Sequence, residues 1–205
     1  MNEPLSSKVV METYQNGWGR PQALIFGRGY QEYKPKANQN LQEIMEFIDD
    51  VLAILPPEKR KLALEIGLET GGTHLIWRQL FARVMSIEIN LHSSLLFVSG
   101  LMNSDSSRVV CSNSMLPATR TIVEKELNSL KVDLLFVDGD HSQAGVESDY
   151  LNYEPFVASG GIVAFHDEHF PVFFLKQQSF QFFFKPVIHY SVNFPFLICF
   201  NPPEP

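Results

Sequence analysis

Apolar residues fall along the chain in two rhythms. Leu41, Ile44, Met45, Ile48, Val51, Leu52 and Leu55 recur three and four apart, which predicts one apolar face of a helix. Asn40 and Glu43 stand where a helix cap and its reciprocal glutamate stand, and Pro56-Pro57 ends the run. Short, largely apolar runs follow at residues 62–66, 84–89, 108–111, 134–137 and 162–165, and helical patterns lie between them at 74–83, 91–101, 121–130 and 142–157, the last interrupted at Pro155. Such runs suit strands covered on both faces, and the alternation of strand and helix predicts a parallel sheet with helices on either side. Right-handed crossovers then set the loops after each strand along one edge of the sheet, where such folds bind ligands.

The two ends of the chain follow neither rhythm. Residues 1–39 carry Gly17-Trp18-Gly19-Arg20-Pro21 and Gly27-Arg28-Gly29-Tyr30 and predict an irregular arm: a substrate lid, or an extension pinned to the surface by Trp18, Phe26 and Tyr30. The domain proper is expected over 40–205. Beyond residue 170 the chain is dense in Phe; 172–178 reads as a short helix, 182–190 and 194–200 as two strands about a tight connection, and 202–205 as a frayed end.

Candidate chemistry gathers at the predicted strand ends. Leu62-Ala63-Leu64-Glu65-Ile66-Gly67-Leu68-Glu69-Thr70-Gly71-Gly72-Thr73 runs from strand through a glycine-rich turn into a helix, so backbone amides are expected close to a ligand and Glu65 is expected to accept hydrogen bonds from it. There is no Gly-Lys-Ser/Thr, which excludes a Walker loop, and the spacing of Gly67, Gly71 and Gly72 does not fit the dinucleotide fingerprint. Glu88 ends the next strand about 20 residues beyond the turn, the place of a ribose-binding carboxylate.

These residues resemble motif I of the class I S-adenosylmethionine (SAM) methyltransferases, with Glu65-Ile66-Gly67 and Gly71 in register. Asp138-Gly139-Asp140-His141-Ser142 after the strand at 134–137, and Gly160-Gly161 leading to His166-Asp167, are similar to the cephalosporin hydroxylase-like and macrocin-type O-methyltransferase group. The resemblance implies a Rossmann-like three-layer sandwich whose mostly parallel seven-stranded sheet ends in an antiparallel hairpin. It implies SAM as cofactor, held by Glu65, Gly67, Gly71, Gly72, Glu88, Asn113, Ser114, Asp138 and His141. The loop Ser112-Asn113-Ser114 stands where the family carries Gly-Asp-Ser against adenine, and it lacks the charge. Related catechol and caffeoyl-CoA O-methyltransferases bind a divalent cation at positions matching Asp138, His166 and Asp167. Oxygen ligands favour magnesium, and an imidazole among them shifts the preference toward manganese, iron or zinc. Asp138 and His166 are the catalytic candidates, His166 as a ligand or as a general base. O-methylation of a small-molecule hydroxyl, on a sugar or secondary metabolite, is the implied reaction.

Composition narrows the partners. The 205 residues are 45% apolar, enough for a full core, and a net charge of -7 without clustered Lys or Arg argues against nucleic acid. Cys111 and Cys199 suggest neither a disulfide framework nor a zinc site and are expected as core thiols. No run approaches a membrane span and no export signal is evident, so a cytoplasmic protein is expected, with a homodimer left open. His74, His92, His169 and His189 are expected to be structural or solvent-facing. Two other functions compete: a ligand- or partner-binding protein of methyltransferase-like fold without catalysis, kept alive by the altered adenine loop and His166, and an NAD-dependent oxidoreductase, for which no catalytic Tyr-Lys pair is evident.

Overall fold

The computed structural model describes residues 4–17, 22–26, 29–90, 105–166, 188–190 and 196–200, and the side chains only of those outside 22–33 and before 167. In chain order the elements are helix α1 (Ser7–Asn16), strands β1 (Gln22–Phe26) and β2 (Gly29–Tyr33), helix α2 (Leu41–Ile54), strand β3 (Leu62–Ile66), helix α3 (Gly72–Leu80), strands β4 (Arg83–Glu88) and β5 (Ser107–Cys111), helix α4 (Pro117–Leu127), strand β6 (Val132–Val137), helix α5 (Gln143–Tyr153) and strands β7 (Val157–His166), β8 (Ile188–Tyr190) and β9 (Phe196–Phe200).

Five strands form a parallel sheet in the order β5-β4-β3-β6-β7. This is an α/β Rossmann-like fold. The largely apolar runs produce it, since β3 is buried at every position and β4 and β6 at all but one. From β3 the chain moves to β4 on one side and later returns to β6 on the other, so a crevice opens at the carboxyl ends of β3, β4 and β6. The Asp133 carboxylate accepts from the amides of Lys61 and Leu62, both at 3.0 Å, and fixes the entry to β3. On the far side of β7 the backbone of β9 pairs antiparallel with it, and β8 pairs antiparallel with β9.

One core lies between the sheet and α1, α2 and α3, where Phe47, Trp77 and Phe136 meet with ring centroids 5.1 to 5.9 Å apart. The other packs Leu64, Ile66, Leu135, Val137 and Phe165 against Val123 and Leu127 of α4 and Val146, Tyr150 and Tyr153 of α5. The caps are local and polar: Asn40 accepts from Gln42 N at 2.9 Å to start α2, and Ser142 from Gly145 N at 3.1 Å to start α5. Pro117 opens α4 four residues before the predicted start of that helix, because its missing N–H costs nothing in a first turn.

Three expectations change. The arm is not irregular throughout: it contains α1, whose Val10, Met11 and Tyr14 are buried in the first core, and the antiparallel pair β1-β2. Cys111 is not a core thiol but exposed at the end of the edge strand β5, which among the described residues pairs with β4 alone. Strand β7 starts at Val157, five residues before the apolar run, with a shift of register against β6 between Val132 and Leu134. The predicted helices at 91–101 and 172–178, the side chains of Trp18, Phe26, Tyr30 and Cys199, and the turn of the terminal hairpin lie outside the described residues. Among the described residues no helix is long and apolar enough to cross a membrane.

Candidate active site

The turn after β3 is built from residues in the left-handed region: Gly67 (φ 93°), Glu69 (φ 49°) and Gly71 (φ 78°). Gly67 and Gly72 answer to protein backbone. A Cβ on Gly67 would lie 2.0 Å from the carbonyl oxygen of Asp138, and one on Gly72 would lie 2.1 Å from Ala37 N. The amides of Leu68 and Glu69 both donate to Glu88 Oε2, at 3.0 and 2.8 Å. Glu88 Oε1 accepts from Asn90 N at 2.7 Å. The amides of Leu68 and Glu69 are thus engaged by the carboxylate of Glu88, which holds β4 and the motif together.

Above this turn lies a cavity of about 650 Å³. Gly67, Glu88, Asn113, Ser114, Asp138, His141 and His166 all line it, as do Ser112 and Thr73. Glu65, Gly71 and Gly72 do not reach its wall. Gly71 is the left-handed residue before α3, and Gly72 is spent on close approach of the chain at Lys36 and Ala37.

Glu65 is fully buried beneath the turn. Its Oε1 accepts from Trp77 Nε1 at 3.1 Å and its Oε2 from the Ser86 hydroxyl at 2.5 Å. Ser86 Oγ lies 2.7 Å from His74 Nδ1, whose Nε2 lies 2.5 Å from Ser107 Oγ. Burial pushes the Glu65 carboxyl up to about 8 and the His74 imidazole down to about 3, so both are neutral inside the sheet. A neutral Glu65 and a neutral imidazole joined through hydroxyls tie α3 to β3, β4 and β5 without burying a net charge. The Thr73 hydroxyl also hydrogen-bonds to Glu65, so a cavity-lining residue connects to this interior network. His74 is structural, as expected.

At the other end of the cavity Asp138 gathers its neighbours. His166 Nδ1 lies 3.0 Å from Asp138 Oδ1, and His141 Nε2 lies 3.6 Å from the same oxygen. Gln39 Nε2 donates to Asp138 Oδ2 at 2.8 Å. Asp140 also lines the cavity and accepts from Ser142 N at the start of α5 at 2.9 Å. Asp167, the third expected metal ligand, lies outside the described residues. Among the described residues no cluster of three or more His, Cys, Asp or Glu side chains is arranged to hold a metal ion. The donors that are present, a carboxylate oxygen and an imidazole nitrogen 3.0 Å apart, are of the type a borderline divalent cation takes.

Gln39, Lys36 and Asn38 are cavity residues that no sequence motif marks. The segment that carries them is strapped across the turn. The Thr70 hydroxyl donates to Lys36 O and accepts from Lys36 N, both at 2.9 Å, and Asn38 Nδ2 donates to Glu69. Tyr14 of α1 donates to Pro35 O at 3.0 Å and accepts from Ala37 N at 3.1 Å. The usable signal is position alone, because Gln39 immediately precedes the Asn40 cap of α2.

Residues 64–168, just over half of the chain, match the Methyltransferase domain family. The chain belongs to this family. No curated protein matches the sequence. Among solved structures, this methyltransferase-domain chain is similar to the MycE methyltransferase from the mycinamycin biosynthetic pathway in complex with Mg and SAH, at 14% identity and a TM-score of 0.56 over 77% of this chain and 50% of that one. It is similar to the 16S rRNA N2 G1207 methyltransferase RsmC of T. thermophilus, at 13% identity and a TM-score of 0.57 over 90% of this chain and 50% of that one. A third is a ribosomal RNA methyltransferase, putative, from Plasmodium falciparum, at 10% identity and a TM-score of 0.53 over 78% of this chain and 96% of that one. The chain spans about half the length of the MycE structures it matches. At these identities the likeness shows the fold, that of the class I methyltransferases.

Proposed function

We propose that the protein is a SAM-dependent methyltransferase acting on a hydroxyl of a small molecule such as a sugar or secondary metabolite. The observation that carries this reading is the charge of the cavity. Among the described residues its wall holds the acidic Glu69, Glu88, Asp138 and Asp140 against a single Lys36 and no arginine. Such a wall suits a cofactor with a cationic sulfonium and ammonium. It does not suit the pyrophosphate of NAD, because the amides that would bind phosphate are taken up by Glu88. The family match supports methyl transfer, and MycE solved with Mg, SAH and mycinamycin VI supports a small-molecule acceptor and a divalent cation.

In this reading Glu88 and the Ser112–Ser114 loop bind the nucleoside, Gly67 lies under it, and Asp138 and His141 flank the amino-acid end. SAM supplies a methyl group on sulfur, and a divalent cation, if held by Asp138, His166 and Asp167, lowers the pKa of the acceptor hydroxyl. The chain's own residues orient that hydroxyl in line with the methyl group and take its proton. Asp138 Oδ1, 3.0 Å from Nδ1 of His166, fixes the ring so that Nε2 is the basic nitrogen, which serves either as a ligand to that cation or as the base that takes the proton. The finer architecture belongs to the same proposal: a seven-stranded sheet closed by an antiparallel hairpin, supported by the backbone pairing of β9 and β8, and an arm over 1–39 set against a domain over 40–205. So does a cytoplasmic site of action, which the exposed thiol of Cys111 suits.

Calorimetric titration with S-adenosylhomocysteine, with and without magnesium or manganese and with NADH as a control, tests the reading. Low-micromolar binding, about -8 kcal/mol, is expected for S-adenosylhomocysteine and none for NADH. Folded protein that binds neither turns the assignment to a non-catalytic member of the fold.

A further inference from the structure

Besides Glu65, the described interior holds a buried carboxyl group that the proposed chemistry does not use. Asp149, on α5, is fully buried, and among the described residues no cation pairs with it. The Ser114 side chain is close enough to lower its carboxyl pKa, yet among the described residues neither Asp149 oxygen has a hydrogen-bond partner. Burial and the nearby Asp140 push its carboxyl up to about 6. Buried polar groups left this bare are rare enough to need a reason.

Its surroundings supply one. Asp149 Oδ2 occupies the space beneath Gly139, 3.5 Å from where a Cβ on that glycine would stand. One turn further along α5, Tyr153 donates from its hydroxyl to the carbonyl of Ser114 at 2.8 Å. Helix α5 therefore meets Ser114 twice, at its side chain through Asp149 and at its backbone through Tyr153. The same helix starts directly behind Asp138-Gly139-Asp140-His141. Ser114 and Gly139 both line the cavity, on the loops after β5 and β6.

We propose that Asp149 is a positioning residue for the bound nucleoside, holding the Ser112–Ser114 loop against the Gly139 loop by way of the Ser114 side chain. The inference rests on the reading of the cavity as a SAM site. Its partner is a hydroxyl, so an amide carbonyl serves in place of the carboxyl, whereas an apolar side chain of the same size does not.

The test is the affinity for S-adenosylhomocysteine of the full chain and of D149N, D149L, S114A and the D149L/S114A double variant, with melting temperatures recorded alongside. D149N is expected to bind within about twofold of the wild type, while D149L and S114A each lose roughly tenfold, and the double variant is expected to be no weaker than the poorer single one. Wild-type affinity in S114A or in folded D149L overturns the proposal, and so do losses that multiply in the double variant. Should D149L fail to fold, D149A and the D149A/S114A double variant take its place in the same comparison. If the wild type itself binds no S-adenosylhomocysteine, the cofactor reading falls first and this inference with it. That outcome is distinct from tight wild-type binding with unaffected variants, which overturns the inference alone.

Discussion

Glu65 shows that a motif residue can lie inside the fold, beneath the cavity wall rather than on it. Its carboxyl stays protonated up to about pH 8 in the fold and ionises near 4.5 when free. Between those values the native state binds one proton more than the unfolded chain, so this group makes stability fall as pH rises through the window. His74 acts the other way at lower pH: neutral in the fold down to about 3 and protonated below 6.5 when free, it makes stability rise over that range. Glu65→Gln preserves the neutral hydrogen-bonding set with Trp77 and Ser86 and removes the first slope. The variant should therefore gain at least about 1 kcal/mol relative to the wild type between about pH 5.5 and pH 8, since each unit of displaced pKa corresponds to about 1.4 kcal/mol. Urea denaturation at the two pH values measures it. A difference that does not change with pH would mean that Glu65 is ionised in the fold, and its carboxylate would return to the list of ligands.

Elements set what each glycine of the turn is for. Gly67 has a left-handed backbone and lies against the Asp138 carbonyl, so Gly67→Ala carries both strain and a clash between β3 and β6 and should destabilise the protein by about 3 kcal/mol or more. Gly72 is helical, and the nearest atoms a Cβ there would meet are backbone atoms of the strap at Lys36 and Ala37. Gly72→Ala adds no left-handed strain and should cost less stability than Gly67→Ala while displacing the strap, with roughly tenfold weaker binding of S-adenosylhomocysteine. Thermal melts and calorimetry on the two variants separate the roles, and equal loss of stability in both would refute the distinction. The same contrast marks what was legible in the sequence. Largely apolar runs on β3, β4 and β6 announced a covered parallel sheet because burial on both faces leaves no room for polar alternation. Gly67, Glu88, Asn113, Ser114, Asp138, His141 and His166 reached one cavity because each follows or ends a strand on the same edge. The partner of a glycine leaves no such trace: Gly72 reads the same whether a ligand or residue 37 stands opposite. Gln39 was hidden for a related reason, since its contact with Asp138 spans 99 residues and follows no period.

Taken as a whole, the molecule joins its beginning to its cavity through one side chain. Helix α1 buries Val10, Met11 and Tyr14 against α2 and α3, and the Tyr14 hydroxyl then holds both Pro35 and Ala37, the start of the strap that carries Lys36, Asn38 and Gln39 to the cavity wall. Burial raises the Tyr14 phenol above its ordinary value, so it remains a donor through the neutral range. An arm acting purely as a lid could be removed with little effect on stability. An arm whose helix is part of the core could not, and deletion of residues 1–17 should cost about 4 kcal/mol or more, given about 1.5–3 kcal/mol for each fully buried apolar side chain. Tyr14→Phe isolates the link between core and cavity because it keeps the ring and loses only the hydroxyl. We expect that variant to lose about 1–2 kcal/mol and several-fold in affinity for S-adenosylhomocysteine, the first from two hydrogen bonds and the second from a loosened strap. Denaturation and titration of the same preparation read both. A stability loss with unchanged affinity would show that Thr70 and Gln39 hold the strap unaided, and would confine α1 to the core.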